Sequence, residues 1–364
     1  MSSPTPGPED GRPEPVEVPL LQIGGPPGGT GGGGCGDACG CGDAHDELDP
    51  LECGLDPDLA ALLSEAGLDP VQVEDIAHLA IEEDLDRGVD VTTVATIPEE
   101  AVATADFTAR QEGVVAGLRV AEAVLSVVCT DDVEVERHAE DGDRVVPGQK
   151  LLTVVTRARD LLTGERSALN LLCHLSGIAT ATRRWADILD AAGTGTAGTR
   201  VRDTRKTTPG LRALEKYAVR CGGGVNHRMS LSDAALIKDN HVVAAGGLAE
   251  AFRLVREEFP DVPIEAEVDT VEQIEPVLAE GADLILLDNF TPEQTAEAVR
   301  LVAGRARLES SGGLTLETAA AYAAAGVDYL AVGALTHSAP VLDIGLDFRE
   351  DIGSGGANSG EADA

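Results

Sequence analysis

Three of the chain's four lysines, Lys206, Lys216 and Lys238, fall in one short stretch of a protein whose formal net charge is -37. Between Arg200 and His241 they are joined by Arg202, Arg205, Arg212, Arg220, His227 and Arg228. Like charges clustered in this way repel one another unless an anionic ligand or nearby carboxylates neutralise them. Guanidinium groups suit planar carboxylates through paired hydrogen bonds, and lysines supply point charge to a phosphate or pyrophosphate. The stretch reads as a binding site for something highly anionic.

Such groups need a scaffold, and from about residue 170 short apolar strands alternate with helical stretches. Strands are predicted at 199–203, 235–238, 264–268, 284–288, 307–311 and 329–333, the cadence of βα units around a parallel barrel. Nearly every apolar run ends on a polar residue or glycine: Asp203, Lys238, Glu267, Asp288, Ser311 and Gly333. Barrel enzymes carry their chemistry at the carboxyl ends of the strands, so these residues would converge on one mouth. The cations would there meet Glu267 and Asp288, with Asp203 and Glu309 as further carboxylates, and glycine loops at 311–313 and 333–335. Glycine loops let backbone amides approach a phosphate, and separated carboxylates suit Mg2+ or ribose hydroxyls. A sugar phosphate bearing a pyrophosphate, with a carboxylated acceptor, uses every one of these groups. Lys238 also admits a second chemistry, Schiff-base formation from a barrel strand.

The rest of the chain bounds the reading. Hydrophobic residues make up 43% and aromatics only 2%, which favours tight βα packing over base-stacking surfaces. The acidity argues against nucleic acid or anionic membranes as partners. No run approaches a membrane span and the first residues lack a signal pattern, so a cytoplasmic location is expected. Residues 1–54 are rich in Gly, Pro and acids and read as a disordered tail, as do 350–364. Cys35, Cys39, Cys41, His45 and Cys53 include soft metal donors, but their spacing is not that of a zinc site. Cys129, Cys173 and Cys221 read as small core residues. Between tail and barrel, 55–170 reads as an α+β sandwich domain. It has a helix opening at Asp69-Pro70, strands at 104–108 and 133–137, and a Gly-turned hairpin over 141–152 in which Lys150 is a solvated turn charge. Lys216 and Arg220, one helical turn apart, are expected to face solvent or a partner.

The run Asp203-Thr204-Arg205-Lys206-Thr207-Thr208-Pro209-Gly210, followed by Asn226-His227-Arg228 and Lys238-Asp239-Asn240-His241, resembles the quinolinate phosphoribosyltransferase family. The likeness continues through Glu265-Ala266-Glu267, Leu287-Asp288-Asn289, Glu309-Ser310-Ser311-Gly312-Gly313 and Gly333-Ala334-Leu335-Thr336-His337, and reaches back to Asp90-Val91-Thr92-Thr93 and Glu165-Arg166. It spans about 55–349. The resemblance implies an incomplete α/β barrel over 171–338, with 339–349 packing back on the amino-terminal domain. It implies the reaction of quinolinate with phosphoribosyl pyrophosphate and Mg2+ to give nicotinate mononucleotide, pyrophosphate and CO2, in NAD biosynthesis. By the same resemblance Arg166, Thr204, Arg205, Lys206, His227, Arg228 and Lys238 hold quinolinate, and Lys206 lies where the substrates meet. Glu267 and Asp288 serve catalysis and the metal. They also bind phosphoribosyl pyrophosphate, together with Ser311, Gly312, Gly313, Gly333, Ala334, Leu335 and His337. Arg166 belongs to the neighbouring subunit's site, which implies a homodimer or an oligomer of dimers. The Gly/Thr-rich segment 192–199 departs from the family and lengthens the loop before the first barrel strand.

Overall fold

Aspartate and proline set the first helices. In the computed structural model, which describes residues 53–129, 133–192 and 198–349, α1 (Pro57–Glu65) and α2 (Pro70–Leu85) each begin on proline behind Asp56 or Asp69. The aspartate carboxylates accept backbone amides of the first turn, while proline has no amide to leave unpaired there. Val73, Ala77 and Ile81 form the buried stripe of α2. α3 (Val91–Thr96) is capped in the same way by Asp90. The tails expected over 1–54 and 350–364 lie outside the described residues except for Cys53 and Gly54, and so do the four tail donors from Cys35 to His45. Cys53 packs against the core, and the Gly54 amide donates to Glu74.

The strands β1 (Val102–Ala109), β2 (Gly113–Val114), β3 (Glu134–Arg137), β4 (Arg144–Val145) and β5 (Lys150–Arg157) follow, with α4 (Leu118–Val128) between β2 and β3. β5 pairs antiparallel with β1 on one side and β3 on the other. The hairpin expected over 141–152 is instead split between two sheets, because β4 pairs with β2 and not with β5. Pro147 lies between β4 and β5 and has no amide for a ladder joining them. Lys150 is not a free turn charge either. It ion-pairs with buried Asp106, which also accepts from Thr153 at 2.6 Å and from Arg349 at 2.7 Å.

A single long helix, α5 (Ala158–Ala191), then packs against α4. Most of the extra loop at 192–199 lies outside the described residues. β6 (Arg200–Arg202), β7 (Ala235–Ile237), β8 (Ile264–Val268), β9 (Leu284–Asp288), β10 (Arg307–Ser311) and β11 (Tyr329–Ala331) form one parallel sheet in the order β6-β11-β10-β9-β8-β7. The helices between them are α6 (Arg212–Cys221), α7 (Asp239–Ala245), α8 (Leu248–Glu258), α9 (Ile274–Ala279), α10 (Pro292–Val302) and α11 (Leu316–Ala325), followed by the one-turn α12 (Ala334–His337). Beyond β6 only Val225 adds a parallel bridge, to Arg202, and the described residues have no ladder from there to β7. The barrel is therefore incomplete. Strand residues of one parity, among them Val201, Ile237, Ala266, Ile285, Leu287, Leu308 and Leu330, are buried; the alternation sends them to the helical layer. The opposite parity carries the polar residues inward. Finally β12 (Ile344–Phe348) pairs antiparallel with β1, giving the amino-terminal sheet the order β12-β1-β5-β3. Among the described residues no helix is long and apolar enough to cross a membrane.

Candidate active site

Strand parity builds two levels inside the barrel. At the carboxyl ends, Thr204, Arg205, Lys206, Lys238, Glu267, Asp288 and Ser311 line a cavity of about 450 Å³, with His227 and Arg228 in its wall. Lys238 donates to the Glu267 carboxylate. Its own backbone amide is held by His241 Nδ1 at 3.0 Å, so His241 caps α7 through that nitrogen. Arg228 is fixed through a 2.8 Å bond to the Ala234 carbonyl. Burial makes Arg228 less basic than usual, with Arg205 beside it acting in the same direction and Glu265 opposing. Arg205 Nε is buried without a partner, a donor left over for an anion.

The loops that follow the later strands are held by close approach. The Asn289 amide donates to the Ser311 carbonyl at 2.9 Å, and a Cβ on Gly312 would stand 2.1 Å from Asn289 Oδ1. Gly333 lies against Lys206, where a Cβ would reach the lysine Cδ at 2.9 Å and His337 Nε2 at 3.3 Å. The Thr336 hydroxyl donates to the Lys206 carbonyl at 2.9 Å. Gly312, Gly313, Gly333, Ala334 and His337 thus border the cavity without lining it. Leu335 turns its side chain into the core, and its amide lies 3.4 Å from the Val332 carbonyl. Arg166 is exposed on α5 and does not line this chain's cavity.

Below the mouth lies an ionic layer that sequence reasoning largely missed. Arg202 stacks over the Tyr329 ring at 4.4 Å and donates to Glu309 Oε2 at 2.6 Å. His227 Nε2 is 2.8 Å from Glu265 Oε2 and 3.6 Å from Glu309 Oε1. Both acids are buried, and burial followed by the neighbouring Glu265 pushes the Glu309 carboxyl well above its usual range. These three residues have metal-ligand character, but Arg202 and His227 already occupy the carboxylates.

Asp203 and Lys216 also differ from expectation. Asp203 has the opposite parity to Arg202 and Thr204, so it faces α6 and not the mouth. There it is fully buried, ion-paired with Lys216, and accepts the His227 amide at 2.9 Å. Lys216 is fully buried too and donates to the His227 carbonyl at 2.9 Å; it faces neither solvent nor a partner. Period-two parity in β8 and β10 was the available signal for Glu265 and Glu309, since each lies two residues before a mouth residue.

Carboxylates also crowd the rim. Asp269 is pushed up by burial first and then by Asp239, Asp288 and Glu267. Such mutual repulsion among hard oxygen donors fits a divalent cation at Glu267 and Asp288.

Comparison with known proteins agrees with this architecture. Residues 90–176 match the quinolinate phosphoribosyl transferase amino-terminal domain and residues 178–347 its carboxyl-terminal domain. A nicotinate-nucleotide pyrophosphorylase [carboxylating] of Mycobacterium leprae is 54% identical over 79% of this chain and 100% of its own length. A probable enzyme of the same name from Bacillus subtilis is 41% identical over 73% of this chain and 89% of its own. The solved NadC structure from Streptococcus pyogenes superposes with a TM-score of 0.72 at 39% identity, covering 78% of this chain and 99% of that one. With both domain families matched and a relative covered end to end, the chain belongs to the quinolinate phosphoribosyltransferase family.

Proposed function

We propose that the cavity catalyses transfer of a phosphoribosyl group to quinolinate with loss of CO2, yielding nicotinate mononucleotide and pyrophosphate for NAD synthesis. The observation that carries the reading is the convergence of Arg205, Lys206, Arg228 and Lys238 opposite Glu267 and Asp288 in one cavity. Arg205, Arg228 and Lys238, with Thr204, would take the two ring carboxylates, and bidentate guanidinium contacts would set the ring plane. Lys206, pressed against Gly333, would stand between acceptor and donor. The loops at Ser311–Gly313 and Gly333–Leu335, with His337, would receive the 5'-phosphate through backbone amides.

Departure of pyrophosphate leaves positive charge on the ribose, which the carboxylates of Glu267 and Asp288 stabilise. Attack by the ring nitrogen makes a pyridinium, that charge stabilises the carbanion left when the adjacent carboxylate departs as CO2, and uptake of one proton from solvent at that carbon gives nicotinate mononucleotide. The chain's task is therefore mainly to orient the acceptor and exclude competing water. Glu267 and Asp288 would also hold Mg2+, whose charge neutralises the departing pyrophosphate. Because Lys238 rests on Glu267, acceptor binding would draw the lysine away and free the carboxylate for the donor side.

Arg166 would complete the cavity of a second copy, making the working unit a homodimer with shared sites. A reducing cytoplasm fits the thiols at Cys53, Cys173 and Cys221, which form no disulfide. The test is an assay with quinolinate, phosphoribosyl pyrophosphate and Mg2+ that follows nicotinate mononucleotide and CO2 together, with nicotinate as a parallel acceptor. Equal amounts of both products from quinolinate alone are expected. Product from nicotinate alone, or from neither acceptor, would reject the assignment.

A further inference from the structure

Glu265 and Glu309 have no part in the roles above, yet they are almost wholly buried directly beneath the acceptor's arginines. Each keeps one oxygen, Oε1, without a hydrogen-bond donor. Unsatisfied carboxylate oxygens in the interior are costly, and a network kept only for stability would give each acid its own cation. Here only Glu309 has a guanidinium, Arg202, and Glu265 has no more than the His227 imidazole.

The imidazole's proton can be placed. His227 Nδ1 accepts the Arg228 amide at 2.8 Å, so the hydrogen sits on Nε2 and points at Glu265, 2.8 Å away. Glu309 lies 3.6 Å from the same nitrogen and is itself anchored by Arg202 at 2.6 Å. Hydrogen bonds thus join Arg202 to Glu309, and Glu265 through His227 to the Arg228 amide in the cavity wall, while the Glu309 carboxylate stands 3.6 Å from the same His227 nitrogen. Glu265, together with Asp233, also opposes the effect of Arg205 on Arg228.

We infer that Glu265 and Glu309 are positioning residues for the acceptor: they lock His227 in one tautomer and orientation, and through it hold Arg228 beside Arg205 despite their like charge. The inference rests on the acceptor reading given above and extends it to two buried acids, of which Glu309 reaches the cavity floor and Glu265 does not.

Glu265→Gln and Glu309→Gln keep shape and an accepting oxygen but remove the charge; Glu265→Ala also removes the anchor. The steady-state parameters of both substrates, the melting temperature and the ring nitrogen resonances of His227 are measured on each variant. Both Gln variants are expected to raise KM for quinolinate about tenfold, as for a weakened charged hydrogen bond, with KM for phosphoribosyl pyrophosphate within about twofold of wild type. Glu265→Ala is expected to raise it further and to release the single Nε2-H signature of His227, with partial rescue in Glu265→Gln.

Unchanged quinolinate KM in the folded variants overturns the inference, as does a parallel rise of both KM values with falling melting temperature. The two acids lie on different strands, so if one variant fails to fold the other still decides. Wild type that turns quinolinate over while the variants match it sinks the positioning role alone. Wild type that does not accept quinolinate sinks the proposed function and this inference together.

Discussion

Arg228 is the side chain whose loss should separate acceptor from donor. It lines the cavity beside Arg205, its guanidinium held by the Ala234 carbonyl. Arg228→Ala is expected to lower kcat/KM for quinolinate at least about a hundredfold, as for loss of one charge-assisted carboxylate contact, with little change in KM for phosphoribosyl pyrophosphate. Normal kcat/KM for quinolinate would show that the ring carboxylates lie elsewhere. At this scale the mouth was legible in the sequence because its cations sit in consecutive runs, Arg205-Lys206 and His227-Arg228, and because Lys238, Glu267 and Asp288 each close or follow a strand. Of the layer beneath, only Glu309 was legible, as a further carboxylate of the mouth. Glu265 and Glu309 are charges inside strands, and their burial depends on a His227 and an Arg202 that are distant in sequence. Lys216 shows the same limit: helical spacing gives it a neighbour in Arg220, but only the fold brings Asp203 under its ammonium. Removing either member of that pair would leave the other charge buried and unpaired.

Among the elements, α5 and β12 carry the clearest consequences. Gly177 sits inside α5, where helix propensity alone would favour alanine by about 1 kcal/mol. A Cβ there would stand 2.2 Å from the Pro340 carbonyl oxygen and 2.9 Å from Val341 Cα, both backbone. Gly177→Ala should therefore lower the melting temperature, with a net cost of about 1–3 kcal/mol typical of overpacking; a stabilised variant would show that the returning segment yields freely. Just beyond β12, Arg349 anchors the strand to Asp106, and with Lys150 and Thr153 it holds that carboxyl well below its usual range against the opposing effect of burial. A depressed folded value means the contribution is present above the unfolded aspartate value of about 3.9 and is lost as pH falls through the folded value. Asp106→Asn should cost about 2 kcal/mol at neutral pH and flatten the acid limb of stability against pH, as followed by urea midpoints. An unaltered acid limb would place the sensitivity elsewhere. The expected strands at 264–268, 284–288 and 307–311 coincide with β8, β9 and β10, whose outward parity is apolar at Ala266, at Ile285 and Leu287, and at Leu308. The Val225 bridge and the division of 141–152 between two sheets were not legible, since both depend on which distant backbone is free to pair.

For the whole molecule, the question is how a chain with net charge -37 would accept a second copy of itself. Long-range repulsion between two such chains is screened beyond about 8 Å at physiological salt, so association depends on local contacts. Arg166, exposed on α5 and absent from its own chain's cavity, is the cation such a contact would deliver. If each site takes Arg166 from one chain and Lys206 from the other, Arg166→Ala and Lys206→Ala homodimers are both inactive for different reasons. In a heterodimer, one site combines the intact barrel of the Arg166→Ala chain with the intact Arg166 of its partner. The other site carries both defects. Unfolding and refolding an equal mixture makes about half of the dimers mixed, each with one working site, so about one quarter of wild-type activity should return. Activity that stays at the level of the separate variants would mean that Arg166 serves only its own chain, or that no shared site forms. Recovery that follows the mixing ratio, with its maximum at equal amounts, is the behaviour that only a site built from two chains produces.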